Sequence, residues 1–353
     1  MKHFFRGGLG LVLFLCCTAC DKTPVPGGEN DLQPASPIVS SKPAPTDTIA
    51  PSTFYLGVNG HPLNQEAYAT LSAEEQMQLL KSLGMNLYRV DFTVTGQGKI
   101  VPSQRYEKLR AAANAAGITI LPMLPDAKLD YNGTEEAAYQ QGYARGYGFA
   151  EENGNDFTYY NIGNELDNDC ILPNKSGRAA EHYDLKKFRV IAAHLKGMDD
   201  GIKAIDHTAQ TMINAGWMHY KYLQMLEDYG VKYDIIAYHW YSDMESAAAS
   251  AYQINDITEF LATQFTKPIW FTEINIRNKT GSVSDEVQRD FLNTVIAKCQ
   301  KNPRVKAVVV YELFNQPVFK SIESHFGLFD WEKPYSKYKP KLWASEQMEK
   351  SLK

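Results

Sequence analysis

The chain has 353 residues, 44% hydrophobic and 22% charged, with a formal net charge of −5 and a pI near 5.9. These values exclude a disordered or collagen-like chain, and the lack of any Lys/Arg-rich run argues against nucleic acid as the main partner. Aromatic residues reach 12%, with 21 Tyr, a content that suits a large core and equally a cleft that stacks sugar rings.

The N-terminal twenty residues read as an export signal. Lys2 and Arg6 supply positive charge, and "GGLGLVLFLCC" is an apolar stretch too short to span a bilayer as a helix. Small residues then precede Cys20 in "CTAC". The segment resembles a bacterial lipoprotein signal, in which that cysteine is lipidated and becomes the new N-terminus. Leucine is commoner where Cys17 stands, and a plain secretory signal cleaved near Ala19 is the alternative. The first reading places the protein in the cell envelope, lipid-anchored at the outer membrane or cell surface, and the second makes it secreted. Residues 21–52 hold seven prolines and no aromatic residue, so they are expected to form a flexible linker. The rest of the chain, 53–353, shows no second break and is expected to form one catalytic domain, acting as a monomer. Cys170 and Cys299 are too few for a disulfide framework.

Beyond the linker, short apolar runs alternate with longer helical patterns. Strands are predicted at 54–58, 86–91, 118–124, 157–163, 209–214, 234–239, 268–273 and 306–312. Helices are predicted between them, at 72–84, 103–117, 136–154, 185–206, 220–230, 254–265 and 284–300. Eight strands separated by helices read as an α/β protein, a (β/α)8 TIM barrel with roughly 37 residues per unit. A doubly wound open sheet also alternates strand and helix. It seldom needs eight units, however, and no Gly-rich phosphate loop follows the first strand.

In such a barrel the strand C-termini converge on one face, which carries the active site. The predicted tips deliver Asn59 and His61, Arg89 and Asp91, Asn164 and Glu165, Asn214 and Trp217, and His239, Trp240 and Tyr241. The last two strands deliver Glu273, then Glu312 and Asn315. Two glutamates three βα units apart can face each other across the mouth. Retaining glycoside hydrolysis needs such a pair, about 5–5.5 Å apart: one protonates the leaving oxygen and the other attacks the anomeric carbon. Trp270 lies on the opposite strand parity from Glu273 and is expected to pack against helices. Asp167 and Asp169 read as loop polarity, and 125–156 and 166–185 are expected to wall the cleft.

"NIGNE" at the fourth strand and "IWFTEI" at the seventh resemble the two signatures of clan A glycoside hydrolases, which are retaining (β/α)8 barrels. The resemblance implies that Glu165 is the acid/base, held neutral by a partly desolvated cleft, and Glu273 the nucleophile. It implies that Asn164 holds the 2-hydroxyl of the sugar, and that Arg89 keeps the nucleophile charged. "HWY" is similar to the clan's His-x-Tyr, setting His239 near the cleft and Tyr241 against the nucleophile. His61 and Trp217 complete the expected substrate-binding set. The C-terminal "YELFNQP" and "ESHFGLFDWEKP" look like the last unit in this clan. Members commonly carry a tryptophan at the end of strand eight, where Tyr311, Glu312 and Phe314 stand here, so the floor under the first sugar is left open. Parts resemble family 5, "GNELDNDCILP" is similar to family 53, and family 39 fits as well.

The substrate class implied is a polysaccharide or its oligosaccharides with β linkages, and no cofactor is needed. No metal is expected, since the first strand lacks His-x-His and no Cys-x-x-Cys occurs. No Gly-x-Ser-x-Gly begins a serine triad. A catalytically silent surface glycan-binding lipoprotein is the alternative from another class. An unrelated barrel such as an aldolase is a third, although no predicted strand tip carries lysine.

Overall fold

The structure is a computed structural model that describes residues 54–125, 128–278, 283–318 and 322–352. Cys20, the signal and the linker lie outside the described residues. Eight parallel strands close into a barrel in sequence order: β1 (Tyr55–Gly60), β2 (Leu87–Asp91), β3 (Thr119–Leu124), β4 (Tyr159–Ile162), β5 (Gln210–Gly216), β6 (Ile235–Tyr241), β7 (Ile269–Asn275) and β8 (Val305–Val310). Tyr55 pairs with Ala307 and Val58 with Val310, which closes the ring. All eight predicted strands are present, and each is within three residues of its expected ends.

The helices are α1 (Glu66–Ala69) and α2 (Ala73–Ser82), then α3 (Ser103–Ala116), α4 (Glu135–Asn153), α5 (Asp167–Cys170) and α6 (Leu185–Ile205). They continue as α7 (Tyr220–Tyr229), α8 (Ser242–Tyr252), α9 (Ile257–Gln264), α10 (Asp285–Lys301) and α11 (Leu342–Ser351). The caps are written locally. Ser72 begins α2 with a reciprocal capping box to Glu75, and Gly117 ends α3 in a left-handed conformation. Glycines let α4 and α6 meet closely: a Cβ at Gly142 would fall 2.0 Å from the His194 carbonyl, and one at Gly197 2.1 Å from that of Tyr139. The helices α1, α5, α8 and α11, and a hairpin of β9 (Phe329–Lys333) with β10 (Lys337–Pro340), have no counterpart in the expected pattern.

The strands are buried on both faces, as parallel barrel strands must be. Outward residues such as Val90, Ile213, Tyr238 and Val308 join the core beneath the helices. Inward residues form a separate cluster from six strands, Leu87, Leu121, Met212, Ile235, Ala237, Trp270, Ala307 and Val309, with Tyr55 of β1 and Tyr159 of β4 against it. No helix contributes to it, so it is the barrel interior. Trp270 therefore plugs the barrel, its ring 5.2 Å from Tyr55 and 4.6 Å from Tyr159, instead of packing against helices. The cause is a register irregularity in β7: Phe271 pairs with Tyr238, and Glu273, two positions on, with His239, the very next residue of β6. The extra residue reverses the alternation, so Trp270 below it and Glu273 above it both point inward.

Candidate active site

Above the apolar plug the inward positions turn polar and stay buried: Asn59, Arg89, Asn161, Asn214, His239 and Glu273. These groups satisfy one another. Arg89 donates from Nε to Asn161 (2.9 Å), from Nη1 to Asn59 (2.6 Å) and Glu273 (2.9 Å), and from Nη2 to Asn164 (2.8 Å). Its side chain is 3% exposed and that of Glu273 9%, so this is a charge-assisted pair in a dry interior. Tyr241 donates its hydroxyl to the other oxygen of Glu273 at 2.6 Å. Burial and the neighbouring carboxylate push the Tyr241 hydroxyl well above its ordinary value, which keeps it a donor.

Glu165 stands just past β4 with a left-handed backbone, φ 53°, after Gly163 at φ 74°. A non-glycine residue in that region is strained, and such strain gathers at functional sites. Its backbone N–H donates to Asn214 Oδ1 at 3.1 Å, and this fixes the amide's orientation. Asn214 Nδ2 then faces Asn164 Oδ1 (2.9 Å) and His239 Nε2 (2.8 Å). Nε2 of His239 must accept, so the ring carries its proton on Nδ1, 2.7 Å from Glu165 Oε1 and 3.4 Å from Glu273 Oε2.

Burial pushes the Glu165 carboxyl up. The hydrogen bond and the charge that His239 can carry, together with the Arg89 and Arg277 guanidiniums, outweigh it and hold the carboxyl below its ordinary value. In the free protein Glu165 is therefore ionised, contrary to the expectation of a carboxyl kept neutral by its cleft. Desolvation is present and is the largest single influence, but the hydrogen bond from His239 and the two guanidiniums of Arg89 and Arg277 oppose it.

Glu165, His239 and Glu273 each offer an atom within 4.8 Å of the others, a spacing that also suits a metal. The donor set does not fit one. Both His239 nitrogens are already engaged, and Arg89 would sit as a second cation against the same Glu273 carboxylate. One oxygen of each carboxylate lies within 4.8 Å of the other at the barrel mouth.

Arg89, Asn164, Glu165, Tyr241 and Glu273 line a cavity of about 330 Å³, together with Asn59, Gly60, His61, Asp91, Met123, Arg277, Tyr311 and Phe326. His61 is thus at the site, held by Asp91 (2.9 Å) and Glu312 (3.2 Å). His239 lies behind Glu165 as its support. Trp217 is not in the lining: it stacks on Trp240, which faces the helices, at 6.4 Å and 13°, and meets Tyr252 edge-on. Tyr311 lines the cavity near the position where members of the clan commonly carry a tryptophan, and Glu312 next to it is fully buried against Tyr68 and Gln316.

Arg277 and Phe326 escaped the strand-tip reasoning because they lie past the strand ends, Arg277 just beyond β7 and Phe326 far along the chain after β8. Neither 125–156 nor 166–185 contributes a described residue to the lining. Asp167 is not loop polarity. It is fully buried, and it accepts from His219 Nδ1 (2.6 Å) and the Gly216 amide (3.2 Å), which ties the β4 loop to the end of β5. Asp169 accepts from the Tyr131 hydroxyl at the surface.

Residues 163–326 match the family described as "Glycosyl hydrolase catalytic core", a stretch that begins beside Glu165 and includes Glu273. That match supports glycosidase activity for this barrel. Comparison with curated proteins gives no match. Among solved structures, the chain is similar to a family 1 β-glucosidase from Thermotoga maritima at 14% identity and TM-score 0.64, covering 85% of this chain and 98% of that one. A β-glycosidase is similar at 13% identity and TM-score 0.58, with 86% and 97% covered. The Thermotoga maritima β-glucosidase in complex with azafagomine gives 14% identity and TM-score 0.63, with 85% and 98% covered. At these identities the likeness is one of fold.

Proposed function

We propose that the protein is a retaining glycoside hydrolase acting on β-linked sugars, with Glu165 as acid/base and Glu273 as nucleophile. The observation that carries this reading is the pair of carboxylates within 4.8 Å at the barrel mouth, held in different surroundings. Glu273 receives Arg89 on one oxygen and Tyr241 on the other, which together fix the carboxylate and stabilise its negative charge. Glu165 is more exposed and rests on His239, the arrangement needed by a group that gives and takes a proton.

In the first step Glu165 gives its proton to the leaving oxygen while Glu273 attacks the anomeric carbon, forming a glycosyl-enzyme. Water deprotonated by Glu165 then releases the sugar with its configuration retained. Asn164 receives Arg89 and Asn214 on its oxygen, so its Nδ2 is turned toward the cavity, where it suits a 2-hydroxyl. Substrate that fills the cavity removes water and strengthens the burial that raises Glu165, loading it with the proton it must donate. No cofactor enters this scheme.

The test is hydrolysis of a broad glycan panel by the wild type, Glu165→Gln and Glu273→Gln. Loss of turnover in both variants is expected, and full activity in either would sink the assignment. Binding without release of reducing sugar by the wild type would favour a silent glycan-binding protein. We also propose that Cys20 is lipidated and anchors the protein to the cell envelope. Incorporation of labelled fatty acid into the wild type but not into Cys20→Ala checks this.

A further inference from the structure

The side of the cavity contributed by β1 and β2 presents acceptors. Arg89 spends four of its five N–H groups on Asn161, Asn59, Glu273 and Asn164. His61 gives both ring nitrogens to Asp91 and Glu312 and has none left for a ligand. Burial pulls the His61 imidazole down, but hydrogen bonds and charge from those two carboxylates raise it to about 10, so it is a built-in cation. Asp91 is different. Its oxygens take one bond each, from His61 at 2.9 Å and from Asn64 at 2.6 Å, and its side chain remains 17% exposed on the cavity wall. A carboxylate has about four acceptor positions, so room is left for a ligand hydroxyl, and two fixed donors hold the carboxylate plane in place.

We infer that Asp91 is a specificity-determining residue that accepts hydrogen bonds from the hydroxyls of a neutral sugar in the innermost position and repels a sugar bearing a carboxylate there. This rests on the glycosidase reading above. A hydroxyl is a donor that can turn to suit a fixed acceptor, whereas a uronate places like charge against Asp91, with Glu165 and Glu273 close by. The rival recognition element is Arg277, which gives Nε to Asp243 at 3.0 Å and lies over the Tyr241 ring at 4.7 Å. Its remaining N–H groups are the donors on the lining best suited to a sugar carboxylate.

The test uses paired 4-nitrophenyl β-glycosides, glucoside with glucuronide and galactoside with galacturonide, read both as kcat/KM and as binding by titration calorimetry. The wild type is expected to favour the neutral member by at least roughly 100-fold, and Asp91→Asn to narrow that ratio by about tenfold or more. Analogues of the preferred glycoside lacking the 3-, 4- or 6-hydroxyl keep the test independent of how the variant folds. One of them is expected to lose roughly 10- to 100-fold on the wild type and less than about threefold on Asp91→Asn, a coupling that a structural role would not produce.

Preference for the uronide, abolished by Arg277→Met, overturns the inference, as does equal loss across the deoxy series in both proteins or binding of no neutral glycoside. Hydrolysis by Glu273→Gln at the wild-type rate overturns the catalytic reading instead. Calorimetry on that variant still reports whether Asp91 discriminates.

Discussion

Replacing Arg89 with methionine is the sharpest test of how the site is built. The substitution keeps the apolar stem and removes the guanidinium, so Glu273 loses its counter-ion at 2.9 Å while staying 9% exposed. Asn59, Asn161 and Asn164 each lose a donor in the same step. Removing one partner of a buried ion pair costs about 3–5 kcal/mol, because the other charge is left uncompensated. At about 1.36 kcal/mol per tenfold, the same energy taken from the transition state is roughly 10²- to 10⁴-fold in kcat/KM. Part of the cost falls on the folded state, which should melt several degrees lower, at about 2–4 °C per kcal/mol.

Arg89→Lys separates charge from geometry, since one ammonium cannot reach four acceptors in the plane of a guanidinium. It should retain more stability than Arg89→Met and still lose much of the activity. The assay is hydrolysis of a reactive aryl glycoside alongside a thermal melt of each variant. Arg89→Met within about threefold of wild type, with an unchanged melting temperature, would refute the reasoning.

Tyr241→Phe removes one hydroxyl bonded to Glu273 and leaves the ring packed on Phe326 at 5.7 Å. Hydrogen bonds to charged groups contribute about 1.5–3 kcal/mol, so kcat/KM should fall roughly 10- to 100-fold, with the melt lowered by whatever share of that energy the folded state loses. Because the folded Glu165 carboxyl is depressed and the first step needs its proton, kcat/KM should decline as pH rises through that depressed value. His239→Asn removes the bond that holds it down and leaves burial to act, so the basic limb should move to higher pH; a limb that stays or moves lower contradicts the assignment.

His194 is fully buried, and desolvation lowers it from 6.5 to about 4. The unfolded chain therefore binds the extra proton first, and the stability this group contributes is present above pH 6.5 and lost as pH falls toward 4. The loss reaches about 3 kcal/mol and should vanish in His194→Leu, as followed by denaturant unfolding at several pH values. Asp167→Ala strands the Gly216 amide and His219 without their acceptor, and should cost about 1–3 kcal/mol of stability in the same assay.

The barrel was legible in the sequence because strand and helix periods are local, and because Gly and Ser punctuate the elements where Ser72 caps α2 and Gly117 ends α3. Asn164 and Glu165 were legible for a similar reason: an apolar run that finishes on an amide and a carboxylate is a strand reaching the mouth. What tertiary structure decided is which way side chains face. In a parallel barrel both faces of a strand are buried, so hydrophobic alternation does not separate inside from outside. Trp270 and Glu273 share the interior only because β7 carries an extra residue against β6, a fact of register between strands.

The same reason governs Trp217, whose place at the tip of β5 suggested the cleft and whose ring stacks on the outer face at Trp240. Asp167 and Asp169 are two residues apart with the same side chain, yet one is a buried acceptor for His219 and the other binds Tyr131 at the surface. Arg89 could be placed at the mouth from its position on β2. Its four bonds to Asn59, Asn161, Asn164 and Glu273 join β1, β4 and β7, and those distances exist only once the barrel has closed.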